Sequence, residues 1–307
     1  MAATDSVLSG SKLKKTSGSQ AALENGVHAV FLLCGVLAIA FVLAISVYLI
    51  ISGIPAIRQI GFTKFMFGTK WMPTASTTEP SFGILPFVLT SLYGTAGAMI
   101  IGIPIGLMTA LYLTKAAPRR MASVIRSAVE LLAGIPSVVY GLVGMIILVP
   151  GIAKLFHLSS GATLLAAIIV LSIMVLPSII NVSATSLEAV PKEYEEASLA
   201  LGATETETYF RVSLPAAKSG VAAAIVLGIG RAIGEAMAII MVSGNVANMP
   251  GLLKSVRFMT TAIASEMSYA AVGSLQRQAL FSIGLILFLF IMLINAILNL
   301  VIKRKKG

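Results

Sequence analysis

The chain has 307 residues, of which 57% are hydrophobic and only 11% charged, with a formal net charge of +10. A soluble globule carries about 25% charged residues, so this composition excludes one and indicates a chain that crosses a membrane several times. The positive charge alone would admit nucleic-acid binding, but the basic residues are spread over short segments between apolar runs, which argues against it.

In chain order, residues 1–27 form a polar tail rich in Ser and Lys that is expected to be poorly ordered. The apolar run that follows exceeds the roughly 7–15 residues of a signal-peptide core and has no A-x-A site after it, so it reads as a retained helix. Six runs are long enough to span, at about 20 residues each. They lie near His28–Ile51, Leu85–Leu113, Ser127–Val149, Ala162–Ser186, Val221–Ser243 and Leu280–Ile302. The chain thus divides into the tail 1–27, a first transmembrane helix 28–52, an extracytoplasmic segment 53–83, a core 84–302 and a basic tail 303–307. Of the 22 Lys and Arg, 14 fall on the side of the two termini and seven on the other. The excess puts both termini, and the polar loop 188–218, in the cytosol. Cys34 is the only cysteine, which excludes an intrachain disulfide and a cysteine metal cluster. His28 and His157 lie far apart, and no metal site is expected.

Trp71, with Phe62, Phe65 and Phe67, sits in the first outer segment and reads as an interfacial aromatic belt, or alternatively as a landing surface for an external protein. The second outer segment holds a short helix within Met249–Tyr269. Pro86, Pro104, Pro136 and Pro177 bend the spans. Gly94, Gly97, Gly102 and Gly106 allow helices to approach closely.

The loop Glu188–Lys218 carries the strongest local signals. Pro191 suits a first helical turn, with Glu193, Glu195 and Glu196 near its positive end. Gly202 supplies a left-handed stop. Thr204 and Glu207 make a capping box for a second helix, which Leu214-Pro215 is expected to end. Six Glu against Lys192, Arg211 and Lys218 give the wrong sign for a DNA-reading pair of helices.

Arg231 falls near the middle of the fifth span, where a lone Arg costs about 2.5–3.5 kcal/mol on insertion scales. Glu235, four residues on, shares its face in a continuous helix and is placed to pair with it. Two readings stand: a structural ion pair that holds the bundle in register, or a transit site where the planar guanidinium meets an oxyanion. Ser137, Tyr140, Ser178 and Asn181 are polar groups beside proline bends. Each suits hydrogen bonding to a passing anion, or helix packing.

Glu196-Ala197-Ser198, Gly202 and Val212-Ser213-Leu214-Pro215 resemble, in type and spacing, the EAA loop of bacterial ABC importer permeases, with Ser198 in place of Ala and Val212 in place of Ile. Gly134–Gly144, Gly230–Ile239 and Thr260–Met267 narrow the resemblance to phosphate-importer permeases of the PstC type. It implies an all-α polytopic protein of six transmembrane helices with a type I (MetI-like) permease core in a bacterial inner membrane. It implies that the loop is a coupling helix, through Glu196, Ala197, Ser198, Gly202, Leu214 and Pro215, and that Arg231 and Glu235 take part in phosphate passage. The implied partners are a second permease of the PstA type, two copies of a PstB-type ATPase and an extracytoplasmic PstS-type binding protein. No phosphate-loop motif occurs in the chain. ATP and Mg are therefore expected to be used by the partner ATPase, this chain being no enzyme and holding no cofactor. The alternatives are a permease for another oxyanion or a phosphonate, and an ion-coupled secondary anion transporter or channel.

Overall fold

The computed structural model describes residues 18–74 and 79–304. Of the polar tail expected over 1–27, residues 1–17 lie outside them and residues 18–27 are not a tail but the first turns of a helix; the end of the basic tail, 305–307, also lies outside. The described chain is mostly helical, with one small hairpin. Its elements are α1 (Gly18–Ile60), α2 (Phe62–Phe67), the strands β1 (Trp71–Met72) and β2 (Ser81–Phe82), α3 (Leu85–Leu111), α4 (Arg119–Gly134), α5 (Ser137–Val143), α6 (Val149–Leu155) and α7 (Leu164–Glu188). There follow α8 (Lys192–Ala200), α9 (Glu205–Thr208), α10 (Leu214–Ala216), α11 (Lys218–Gly234), α12 (Met237–Val242), α13 (Met259–Glu266) and α14 (Leu275–Arg304). Single π-helical turns at Gly144–Leu148 and Tyr209–Ser213 join neighbouring helices without breaking the chain's course, and one at Tyr112–Ala116 ends α3, after which the chain turns extended at Ala117. Among the described residues five helices are long and apolar enough to cross a membrane, and a sixth crossing is available to the bent pair Glu205–Ala216 and Lys218–Gly234, which meet at 72°.

Three expected spans are redrawn. The first helix runs past residue 52 to Ile60, carrying Pro55 inside it. The third does not begin at Ser127: α4 is an amphipathic helix that ends at Gly134, Ile135 and Pro136 are extended, and the crossing helix starts at Ser137. The residue before a proline is pushed out of the helical region, and here that preference overrides the apolar run around Leu131 and Leu132. The fifth span, expected over Val221–Ser243, is interrupted at Glu235 and Ala236 between α11 and α12.

Residues 18–48 form one compact unit by themselves, a helix whose apolar side chains, Phe31 and Ile39 among them, are exposed. In the unit from Leu49 onward the central element is α7. Ile168, Val175 and Ile179 of α7 fill the spaces that a side chain at Gly97, Gly102 or Gly106 of α3 would need. In lipid such contacts stabilise by packing rather than by removal from water, so small residues at the crossing matter more than hydrophobicity.

Along α3 the buried side chains fall into three clusters. Phe87 belongs to a first one with Ala56, Phe65, Trp71, Phe82, Met259 and Leu280. Ala98 and Met99 join the main core around Leu171 and Met174. Ala110 and Leu111 join a third with Leu187, Val190, Ala217 and Val221. Trp71 is therefore not part of an exposed aromatic belt. It is 6% exposed, and its ring meets Phe82 and Phe87 edge-on at 5.7 and 5.5 Å between centroids. β1 and β2, paired Trp71 to Phe82, hold it there.

Candidate functional site

The loop 188–218 folds as an elbow of two short arms. Pro191 precedes the first residue of α8, and Glu193 and Glu195 lie in its first turn. Leu201 ends the helix and Gly202 takes φ +88°, the left-handed conformation that glycine adopts without steric cost. Thr204 then caps α9: its hydroxyl accepts from the Glu207 N–H, and the Glu207 carboxylate accepts from the Thr204 N–H. Those bonds, and then Arg211, hold the Glu207 carboxyl below its ordinary range. Leu214-Pro215 does not end the second arm. The Leu214 N–H reaches back to the Tyr209 carbonyl through the π turn, and the proline, with no N–H to donate, sits in the first turn of α10. The chain bends only at Ala217.

Glu196, Ala197, Gly202 and Pro215 are exposed, and Ser198 and Leu214 are half-buried. Ser198 pins the arms together, its hydroxyl 2.9 Å from that of Thr208. Glu195, next to the exposed Glu196, turns inward, since consecutive helical residues point about 100° apart. It pairs with Lys115 and accepts from the Ser213 hydroxyl at 2.8 Å. The Tyr209 hydroxyl donates to the Lys115 carbonyl at 3.0 Å. Lys115 had no sequence signal, because it stands 80 residues from Glu195.

In the fifth crossing Arg231 lies in the last turn of α11 and is half-buried. It forms no ion pair with Glu235, contrary to the i, i+4 expectation. That geometry needs an unbroken helix, and the helix stops at Gly234. Glu235 is extended, with φ −72° and ψ 131°; its Oε1 accepts from the Ala238 N–H at 3.0 Å, and its carbonyl accepts from the Thr260 hydroxyl at 2.7 Å. Glu235 therefore caps α12 and braces the break. Arg231 instead donates to Ser178 Oγ at 3.5 Å. Tyr140 is itself engaged, donating to the Leu132 carbonyl at 2.7 Å across the break that precedes α5. Ser137 is half-buried in the first turn of α5 and Asn181 is exposed on α7; among the described residues neither bonds to Arg231. The structure thus brings Ser178 to Arg231 and gives Glu235 partners of its own at the start of α12.

A second polar knot lies in the first apolar cluster. Glu266 pairs with Arg257, and accepts from the Trp71 indole N–H at 3.0 Å and from Gln276 at 3.1 Å. Arg257 also donates to the Asn245 carbonyl at 2.7 and 3.0 Å. In the sequence Glu266 stands within the segment Thr260–Met267 with nothing local to mark its distant partners.

A family model described as binding-protein-dependent transport system inner membrane component matches residues 102–307. The chain is 39% identical over 269 residues to the probable ABC transporter permease protein YqgH of Bacillus subtilis, covering 85% of this chain and 86% of that one. It is 34% identical over 285 residues to the phosphate transport system permease protein PstC of Pasteurella multocida, covering 85% and 88%. Among solved structures, an inward-facing MetNI methionine ABC transporter matches with a TM-score of 0.54 at 19% identity, over 72% of this chain and 94% of that one. At that identity the likeness carries the fold alone.

Proposed function

The chain belongs to the family of binding-protein-dependent transport system inner membrane components, and we propose that within it this protein is the permease of an ATP-driven importer of inorganic phosphate. The observation that carries the substrate class is Arg231. It is a half-buried cation at an interrupted crossing, and among the described residues no carboxylate pairs with it. An anion pathway needs positive charge at the depth where hydration is lost, and a planar fork of N–H donors suits a tetrahedral oxyanion. Relatives named as phosphate permeases, at 31–34% identity, support the same choice.

In this reading the elbow is the docking point for a separate ATPase. Its outer face presents Tyr194, Leu199, Leu201 and Phe210, with Leu201 90% exposed, beside Glu196. Exposed apolar groups rimmed by charge suit a groove on a partner protein. Both termini and the elbow face the cytosol, where ATP is. A PstA-type second permease completes the pathway, a PstB-type pair hydrolyses ATP with Mg, and a PstS-type protein delivers phosphate from outside. Ser178 and Tyr140 would share the ion with Arg231; Ser137 and Asn181 would serve only if the bundle rearranges.

A permease for another oxyanion is the second reading, favoured by the less specific name of the Bacillus relative. The test is ATP hydrolysis by the assembled complex in vesicles with its binding protein. Stimulation by phosphate and not by sulfate or a phosphonate is expected; the reverse order would transfer the assignment to the other anion.

A further inference from the structure

We propose that Lys115 and Glu195 form the strut through which the elbow moves the second crossing helix, making both of them positioning residues for transport. The inference rests on the importer reading above. Covalently, the elbow is continuous only with α7, through residues 189–191, and with α11, across the bend at Ala217. α3 and its terminal π turn have no chain connection to it. Both arms of the elbow nevertheless close on one residue of that turn. The first arm reaches the Lys115 ammonium through Glu195, and the second reaches the Lys115 carbonyl through the Tyr209 hydroxyl.

Local chemistry explains why this carbonyl is available. The last carbonyls of a helix have no partner within it, and the chain has turned extended at Ala117 before an N–H could return to Lys115. Ser213 ties the two arms together at the same point by donating to Glu195. The Lys115 and Glu195 side chains are 11% and 19% exposed, so solvent and salt screen the pair little. Arg126 with Glu188, which joins α4 to α7 at 2.6 Å, makes a useful contrast. Both of its side chains are 46% exposed, where an ion pair contributes little. Of these two ion pairs, the buried one can bear a displacement. Glu196, the acid of the recognised motif, faces outward and is free for a partner, whereas Glu195 carries the load inward.

The test uses the whole importer in vesicles, reading phosphate uptake and ATP hydrolysis on the same preparation. Lys115→Gln and Glu195→Gln should each lower phosphate carried per ATP by about five- to tenfold, in the range by which single substitutions alter coupling. Hydrolysis should stay within about twofold of the parent protein, because the ATPase surface is untouched. The double variant should be no worse than the poorer single one, since both remove the same link. A merely structural pair would lower uptake and hydrolysis in proportion and leave their ratio unchanged, and that result overturns the proposal. So do losses that multiply in the double variant. If neither single variant assembles, Ser213→Ala, which removes one hydrogen bond to Glu195 and no charge, is read on the same ratio. A parent complex that ignores phosphate would instead refute the phosphate assignment; the ratio would then be measured with the anion that does stimulate it.

Discussion

At the scale of single residues, Arg231 and Glu235 separate cleanly once the ion pair is gone. Arg231→Gln removes the charge and the fork but leaves no buried carboxylate unpaired, so the complex should assemble. Uptake should fall about 10- to 100-fold, the equivalent of one lost charge-assisted hydrogen bond. Glu235→Gln keeps an oxygen for the Ala238 N–H and should both assemble and transport. Radiolabelled phosphate uptake, alongside copurification of the complex, checks the pair of variants. Equal loss in both would restore the coupled reading of these charges. Gly202 poses a different kind of demand. A Cβ there meets nothing within 4 Å, so the constraint is its φ of +88° and not space. Gly202→Asn should be tolerated and Gly202→Val should not, since a left-handed residue other than Gly costs about 1–2 kcal/mol and Asn least. ATPase copurification from membranes with equal permease levels distinguishes them. Glu207 adds a pH dependence. Its folded pKa is depressed, so its contribution is present above the ordinary carboxylate range and is lost as pH falls through the depressed value.

Among elements, the contact of α5 with α12 is sensitive to size. A Cβ on Gly141 would lie 2.8 Å from the Ala238 Cα, and backbone cannot step aside as a side chain tip can. Gly141→Leu should therefore separate the two helices at a cost of about 1–3 kcal/mol. Thermal unfolding of the detergent-solubilised protein would register it, and an unchanged midpoint would show that the helices part freely. The same elements explain what was legible beforehand. The elbow was readable because Pro191, Gly202, Thr204 and Glu207 act on backbone within a few residues of themselves. The break after Gly234 was not, because the i, i+4 rule assumes the helix whose continuity was in question. The start of the third crossing was available in Ile135-Pro136 and in the charged face of α4, but an average over apolar residues conceals both. Trp71 and Lys115 depend on partners 195 and 80 residues away, which local patterns do not report.

For the whole molecule, membership of the permease family and the lack of a phosphate-loop motif lead to one expectation. Vesicles containing this chain alone should neither hydrolyse ATP nor accumulate phosphate, and uptake driven by an ion gradient would revive the secondary-transporter alternative. The order of clusters along α3, from Phe87 to Leu111, separates the Glu266 knot from the elbow by most of a crossing helix. Glu266→Ala should unpair Arg257, Trp71 and Gln276 together and destabilise that end by about 3 kcal/mol. Chemical denaturation in detergent would measure the loss, and a cost below 1 kcal/mol would mean that water replaces the carboxylate. The indole in that knot is the only tryptophan of the chain. It is buried, stacked edge-on against two phenylalanines and bonded to the carboxylate that fixes α13. The unmodified polypeptide thus carries its own optical gauge. Excited at the red edge of protein absorption, its emission arises from a single position, and loosening at that end alone should shift the band toward longer wavelengths.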